Sequence, residues 1–144
     1  NNLFIYNVQL IETIIFNLGE KMANLAKKSF NNPDEIKTPD KAHTSTINVG
    51  AVAATKIVLH PGWTWAECIK PVVGGDSCQA GHVGVILQGS MHVVHDDGSE
   101  ITVKAGEAYT FAPGHDGWVV GDEELIAYEF NNSGKDYAVW QTSK

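Results

Sequence analysis

The sequence predicts an all-β protein whose short strands close, or nearly close, into a double sheet of the jelly-roll type. About ten candidate strands follow residue 46, among them residues 63–69 and 137–141, and most are separated by glycine-containing turns. No convincing helix lies between them. Three of the turns carry dipeptides that tolerate the positive φ of tight hairpins, namely Gly89-Ser90, Asp97-Gly98 and Gly121-Asp122.

The chain divides into three segments of different composition. Residues 1–28 carry apolar side chains at alternating steps of four and three, the spacing of one helical face. We expect this segment to be an N-terminal arm that packs on a partner subunit in a homodimer; the alternative is that residues 1–21 precede the native start. Residues 29–45 are polar with two prolines and predict a linker, so the barrel domain takes residues 46–144.

Composition and charge narrow the classes of partner. The net charge is −7 and the pI is near 5.2, which disfavours nucleic acid and anionic membranes as partners. All ten basic residues are lysine, so no guanidinium is present to bind a phosphate or carboxylate through two parallel hydrogen bonds. Polar residues interrupt the apolar segment 3–18, and no secretory leader is recognisable. We expect a cytoplasmic protein with Cys68 and Cys78 as reduced thiols, the alternative being a disulfide between them.

Residues 82–117 carry the most specific pattern of the chain. His82 is followed by six residues and then Gly89, and Gly106 is followed by six residues and then Pro113-Gly114. This spacing resembles the two motifs of the cupin family, a His/Glu strand that ends at a glycine turn and a G(x)5-P-x-G-x-x-H segment. The resemblance covers roughly residues 58–130 and implies a cupin-like jelly-roll β-barrel with ligands on its inner face.

Two registers relate the first cupin motif to this chain. Counting back from Gly89 places His82 at the family's glutamate and places Asp76 and Cys78 at its two histidines. Starting from the Pro-Gly pair at 61–62 places Cys68 and Lys70 at those histidines instead and makes residues 71–81 an insertion. We favour the second register, because residues 63–68 resemble a continuous strand and residues 72–81 a loop.

The second motif departs from the family at its histidine. Gly117 occupies that position, and His115 stands two residues earlier, a step that preserves facing along a strand. We therefore expect His82 and His115 to lie on the same side of the barrel wall. The resemblance then implies a metal site drawn from Cys68, Cys78, His82 and His115.

Thiolate and imidazole ligands suit a divalent transition metal (zinc, iron, nickel or manganese) better than magnesium or calcium. The alternative is that the metal site has decayed and the same side chains are hydrogen-bonded residues of a pocket. We therefore expect a protein that binds a small-molecule ligand in the barrel. The alternative is a metal-dependent enzyme of the oxygenase, isomerase or lyase type, with Glu67 or Asp76 as general base.

Overall fold

The computed structural model describes residues 24–132. The greater part of the expected N-terminal arm, residues 1–23, and the candidate strand 137–141 lie outside the described residues. Neither described helix has the length or apolar character needed to cross a membrane. The described elements, in chain order, are β1 (Glu35–Lys37), β2 (Ala42–Val49), β3 (Val52–Leu59), α1 (Trp65–Cys68), α2 (Lys70–Val73), β4 (His82–Gln88), β5 (Ser90–His95), β6 (Glu100–Lys104), β7 (Ala108–Phe111), β8 (His115–Val119) and β9 (Leu125–Asn132).

The strands form two antiparallel sheets that enclose one core. The larger sheet has the order β1-β2-β3-β9-β4-β7 and the smaller one β6-β5-β8. Side chains of alternate residues point inward from both sheets, as strand geometry requires. The core consists largely of these residues, including Leu59, Ile86, Leu125 and Ala127 from the larger sheet and Val93, Val103 and Val119 from the smaller one. The all-β, jelly-roll prediction is thus confirmed.

The turn between β4 and β5 shows why glycine ends the first motif. Gly89 has a φ of +77°, in the left-handed region that other residues rarely adopt. A Cβ atom there would also lie 2.8 Å from the carbonyl oxygen of Glu124. The chain therefore needs glycine at this point to cross from the larger sheet to the smaller one.

Two sequence expectations about local structure are wrong. The segment 29–45, expected to be a linker, contains β1 and the first residues of β2, so it belongs to the larger sheet. Residues 63–69, expected to be a strand, contain helix α1 instead. The Thr64 side chain caps this helix by accepting a hydrogen bond from the backbone N–H of Glu67, at the spacing of a capping box.

Candidate metal and ligand site

A cavity of about 240 Å³ lies between the two sheets. Its walls are mostly apolar. Its few polar side chains include Cys78, His82 and His115, which are residues of the kind that bind metals, and the carboxylate of Glu129 lies beside them. A mostly apolar cavity with a few convergent polar groups is the usual form of a small-molecule site. The apolar wall includes Trp63, Trp65, Tyr109 and Phe111 among the aromatic residues and Ile57, Leu59, Ile86, Met91, Val93 and Leu125 among the aliphatic ones.

Cys78, His82 and His115 form one group, in which a donor atom of each lies within 4.8 Å of the others. The Sγ atom of Cys78 is 3.7 Å from Nε2 of His82. The two imidazole rings pack edge to face with centroids 5.1 Å apart. The prediction that the two histidines share one side of the barrel wall is therefore confirmed.

Backbone pairing explains how a loop residue reaches two strand residues. The backbone N–H of Cys78 donates to the carbonyl of His115 at 2.7 Å, and the N–H of Gly114 donates to the carbonyl of Cys78 at 2.7 Å. These bonds hold the loop against the start of β8. His82 begins β4, where it pairs with Phe111 at the end of β7, the strand that precedes the turn into His115.

Cys68 does not belong to this group, so the register that we favoured places the wrong cysteine in the site. Cys68 closes helix α1, is only 3% exposed, and directs its thiol to a carboxylate oxygen of Asp40 at 3.5 Å. The other register is right about Cys78, which lies beside His82, but wrong about Asp76, whose side chain is fully exposed outside the cavity. The expected insertion, residues 71–81, is the segment that supplies the thiol.

The orientation of each imidazole ring is set by a partner at Nδ1. Nδ1 of His82 donates to Oε2 of Glu129 at 2.8 Å. Nδ1 of His115 lies 2.5 Å from the carbonyl oxygen of Ala112, which can only accept a hydrogen bond. With Nδ1 committed in both rings, Nε2 is the atom that each offers to the group. Metal-binding histidines in proteins are commonly held in this way.

Glu129 is a site residue that motif comparison missed. Its Oε1 atom accepts a hydrogen bond of 2.8 Å from the Tyr109 hydroxyl, while Oε2 accepts from His82. The signal was the alternation in β9, because Glu129 follows Leu125 and Ala127 at steps of two and therefore faces inward with them.

The two carboxylates expected to act as general base are elsewhere. Glu67 is exposed on helix α1, and Asp76 is fully exposed beside Lys70. Neither is among the residues that line the cavity, whereas Glu129 is. The expected general base is therefore wrong on both counts, and the carboxylate that lines the cavity is Glu129.

The site favours a charged pair of thiolate and imidazolium in the metal-free protein. Burial by itself would raise the pKa of Cys78, but hydrogen bonds with His115 and His82 outweigh it and lower this pKa from 9.0 to about 6. Burial likewise opposes the charged form of His82, but hydrogen bonds with Cys78 and Glu129 raise its pKa from 6.5 to about 10. Burial and the Glu129 carboxylate raise the pKa of Tyr109, which therefore stays a hydrogen-bond donor.

This donor set fits a transition metal. Thiolate sulfur and imidazole nitrogen are the usual protein ligands of zinc, with bonds of about 2.0–2.3 Å. Such bonds bring the donor atoms closer together than the 4.8 Å within which they lie, so the side chains would close slightly around the ion. A metal would replace the proton at Nε2 of His82, because a ligand atom must have a free electron pair.

Comparison with solved structures gives the same fold, although no protein-family model and no curated protein matches the chain. The chain is similar to oxalate decarboxylase of Bacillus subtilis, of which two variants superpose with TM-scores of 0.55 and 0.54 at 14% identity. Each match covers 82% of this chain and 32% of the other. An RmlC-like cupin of Shewanella frigidimarina matches with a TM-score of 0.49 and 19% identity, over 76% of this chain and 96% of the other.

The described barrel thus has the cupin-like jelly-roll fold that the motif spacing in residues 82–117 predicts. The chain spans about a third of the length of the oxalate decarboxylase chains. At these identities the likeness concerns the fold alone, and function has to be argued from the residues of this cavity.

Proposed function

We propose that this cupin domain binds a small molecule in its barrel cavity and holds a divalent transition metal through Cys78, His82 and His115. The observation that carries the proposal is the convergence of three donor atoms, within 4.8 Å of one another, at one part of a mostly apolar cavity. Zinc, iron, nickel and manganese are the candidate ions, and zinc matches the sulfur and nitrogen donors best.

The surrounding residues support both parts of this role. Phe111 packs against both imidazole rings, with ring centroids 6.3 Å from His82 and 5.6 Å from His115. Glu129 and the Ala112 carbonyl hold the rings in place, and the apolar wall limits the access of water. A bound metal would supply a Lewis acid in this environment.

Elemental analysis of the 144-residue protein tests the metal site. We expect about one equivalent of transition metal per chain, lost in Cys78→Ala and His82→Ala because each removes one of three ligands. Cys68→Ala and His92→Ala are matched controls, since Cys68 lies outside the group and His92 is bonded to Thr102. Equal metal content in all five proteins would contradict the proposal.

A metal-dependent enzyme of the oxygenase, isomerase or lyase type is the second candidate function. Catalytic zinc sites typically have three protein ligands and an open position, whereas structural sites have four. Only three donors form the group in the described barrel. If the protein is an enzyme of this kind, its metal should bind a small ligand such as azide at the open position. Cobalt substituted for zinc makes this binding visible as a change in the absorption spectrum. A cobalt spectrum that azide leaves unchanged would argue against the enzymatic function.

We do not propose oxalate as a substrate of this protein. The similar chains are oxalate decarboxylases by name, and oxalate is a dianion at neutral pH. The residues that line this cavity in the described barrel include no lysine to pair with it.

We further propose a cytoplasmic homodimer, supported by the apolar stripe in residues 1–28 and the acidic composition. Light scattering would compare the 144-residue chain with a version that begins at Met22. We expect a dimer for the first and a monomer for the second; two monomers would contradict the proposal.

A further inference from the structure

We propose that the ligand of the barrel cavity is an uncharged, mostly apolar molecule the size of one substituted ring, with a single polar group directed at Cys78, His82 and His115. The inference rests on the proposed binding function and specifies the chemical class that the cavity accepts.

The proposed size of the ligand follows from the volume of the cavity. An apolar cavity of about 150 Å³ in another protein accommodates benzene. The cavity here measures about 240 Å³, which leaves room for a ring with a few additional atoms. Tyr109 and Phe111 stack on each other in its wall, with centroids 4.3 Å apart and planes inclined by 16°. Flat aromatic side chains of this kind pack well against a planar ligand.

The residues that line the cavity indicate that the ligand carries no charge. Among residues 24–132, those that line the cavity include no lysine, and the whole sequence contains no arginine. An anionic ligand would therefore find no cationic side chain other than the site histidines. Glu129 is the carboxylate of the lining, and both of its oxygens already accept hydrogen bonds from Tyr109 and His82. A cationic ligand would therefore have to share this one carboxylate with two hydrogen-bond donors that already hold it.

The charge of a loaded site leads to the same conclusion. A divalent ion contributes +2, the Cys78 thiolate −1 and the adjacent Glu129 carboxylate −1, and the two imidazoles are neutral as ligands. The sum is zero. A charged ligand would leave a net charge in a cavity with apolar walls, and burial of an uncompensated charge is strongly unfavourable. A neutral ligand with a carbonyl, amide or hydroxyl oxygen adds no charge and still offers a donor atom to the polar end.

Three probes of nearly the same shape separate charge from size: benzamide, benzoate and benzylammonium. The chain has two methionines, Met22 and Met91, and Met91 lines the cavity. Methyl-labelled methionine therefore gives two NMR signals, and Met91→Leu assigns the one that reports on the cavity. We expect benzamide to shift the Met91 signal saturably, and benzoate and benzylammonium to bind about tenfold or more weakly.

The outcomes distinguish this inference from the proposed function. If benzoate or benzylammonium shifts the Met91 signal at concentrations equal to or below those of benzamide, the charge rule is wrong while ligand binding in the cavity stands. If none of the three probes shifts it, the ligand class is wrong. Neither result bears on the metal, whose presence is decided separately by the elemental analysis of Cys78→Ala and His82→Ala.

Discussion

The molecule contains two histidine–glutamate pairs of the same length in different surroundings. Nδ1 of His82 lies 2.8 Å from Glu129 inside the barrel, and Nδ1 of His60 lies 2.8 Å from Glu124 at its edge. The inner side chains are 25% and 19% exposed, and the outer ones 50% and 37%. The inner pair also makes hydrogen bonds with further groups, because His82 contacts the Cys78 thiol and Glu129 accepts from the Tyr109 hydroxyl. Equal distances therefore do not make the two pairs equivalent, because only the inner pair is largely shielded from water and joined to further polar groups.

The largest expected effect concerns the thiol at the end of the inner network. Because the pKa of Cys78 is lowered from 9.0 to about 6, the metal-free protein should gain thiolate ultraviolet absorbance as the pH rises through about 6. His82→Gln removes one hydrogen-bond partner of the thiolate and should move the midpoint upward toward 9. Cys78→Ala gives the baseline. A midpoint near 9 in the unsubstituted protein would show that the inner pair leaves the thiol unaffected.

An intermediate effect is expected when the inner carboxylate becomes an amide. Glu129→Gln keeps the shape but removes the negative charge, so the hydrogen bond that holds Nδ1 of His82 becomes weaker, and it is lost where the NH2 group faces the imidazole. We expect zinc affinity, measured by competition with a chromophoric chelator, to fall by about 10–100-fold, the usual effect of losing such a partner. Glu124→Gln is the matched control and should leave the affinity unchanged. Equal losses in both variants would remove the distinction between the pairs.

The smallest effect is expected at the outer pair. Glu124→Gln should change the free energy of unfolding by less than about 1 kcal/mol, because water competes for both exposed side chains. Chemical denaturation of the metal-free protein measures this value. A substantially larger loss would mean that the edge of the barrel depends on His60 and Glu124 more than their exposure indicates.

Most of the fold was predictable because it depends on local patterns. The glycine turns and the alternation of inward residues are visible in the sequence, and they predict most of the strands and the all-β class, whereas the order of the strands in each sheet depends on long-range pairing. Strand β1 could not be predicted in this way, because its three residues are all exposed and it belongs to the sheet through its pairing with β2. Helix α1 was misassigned because Trp63 and Trp65, at its start, favour a strand by propensity, whereas the cap formed by Thr64 and Glu67 favours a helix.

The candidate site was predictable in part for the same reason. His82 and His115 stand at fixed distances from Gly89 and Pro113, so motif spacing found them. One of the two motif registers offered Cys78, but local spacing could not decide between Cys68 and Cys78, because the deciding backbone bonds join residues 37 positions apart. The position of Glu129 beside His82 depends on the pairing of β9 with β4, which the sequence does not show. That Glu129 faces the same side of β9 as Leu125 could be predicted from their spacing.

The attachment of Cys78 to His115 also determines which changes in chain length the barrel can tolerate. Because the thiol is fixed by its own backbone, residues 71–76 can lengthen or shorten over the course of evolution without moving it. One residue added inside β4, between His82 and Ile86, would instead reverse the facing of His82 relative to Ile86 and turn the imidazole out of the cavity. Insertions that separate homologous chains are therefore expected before the cysteine and not after the histidine.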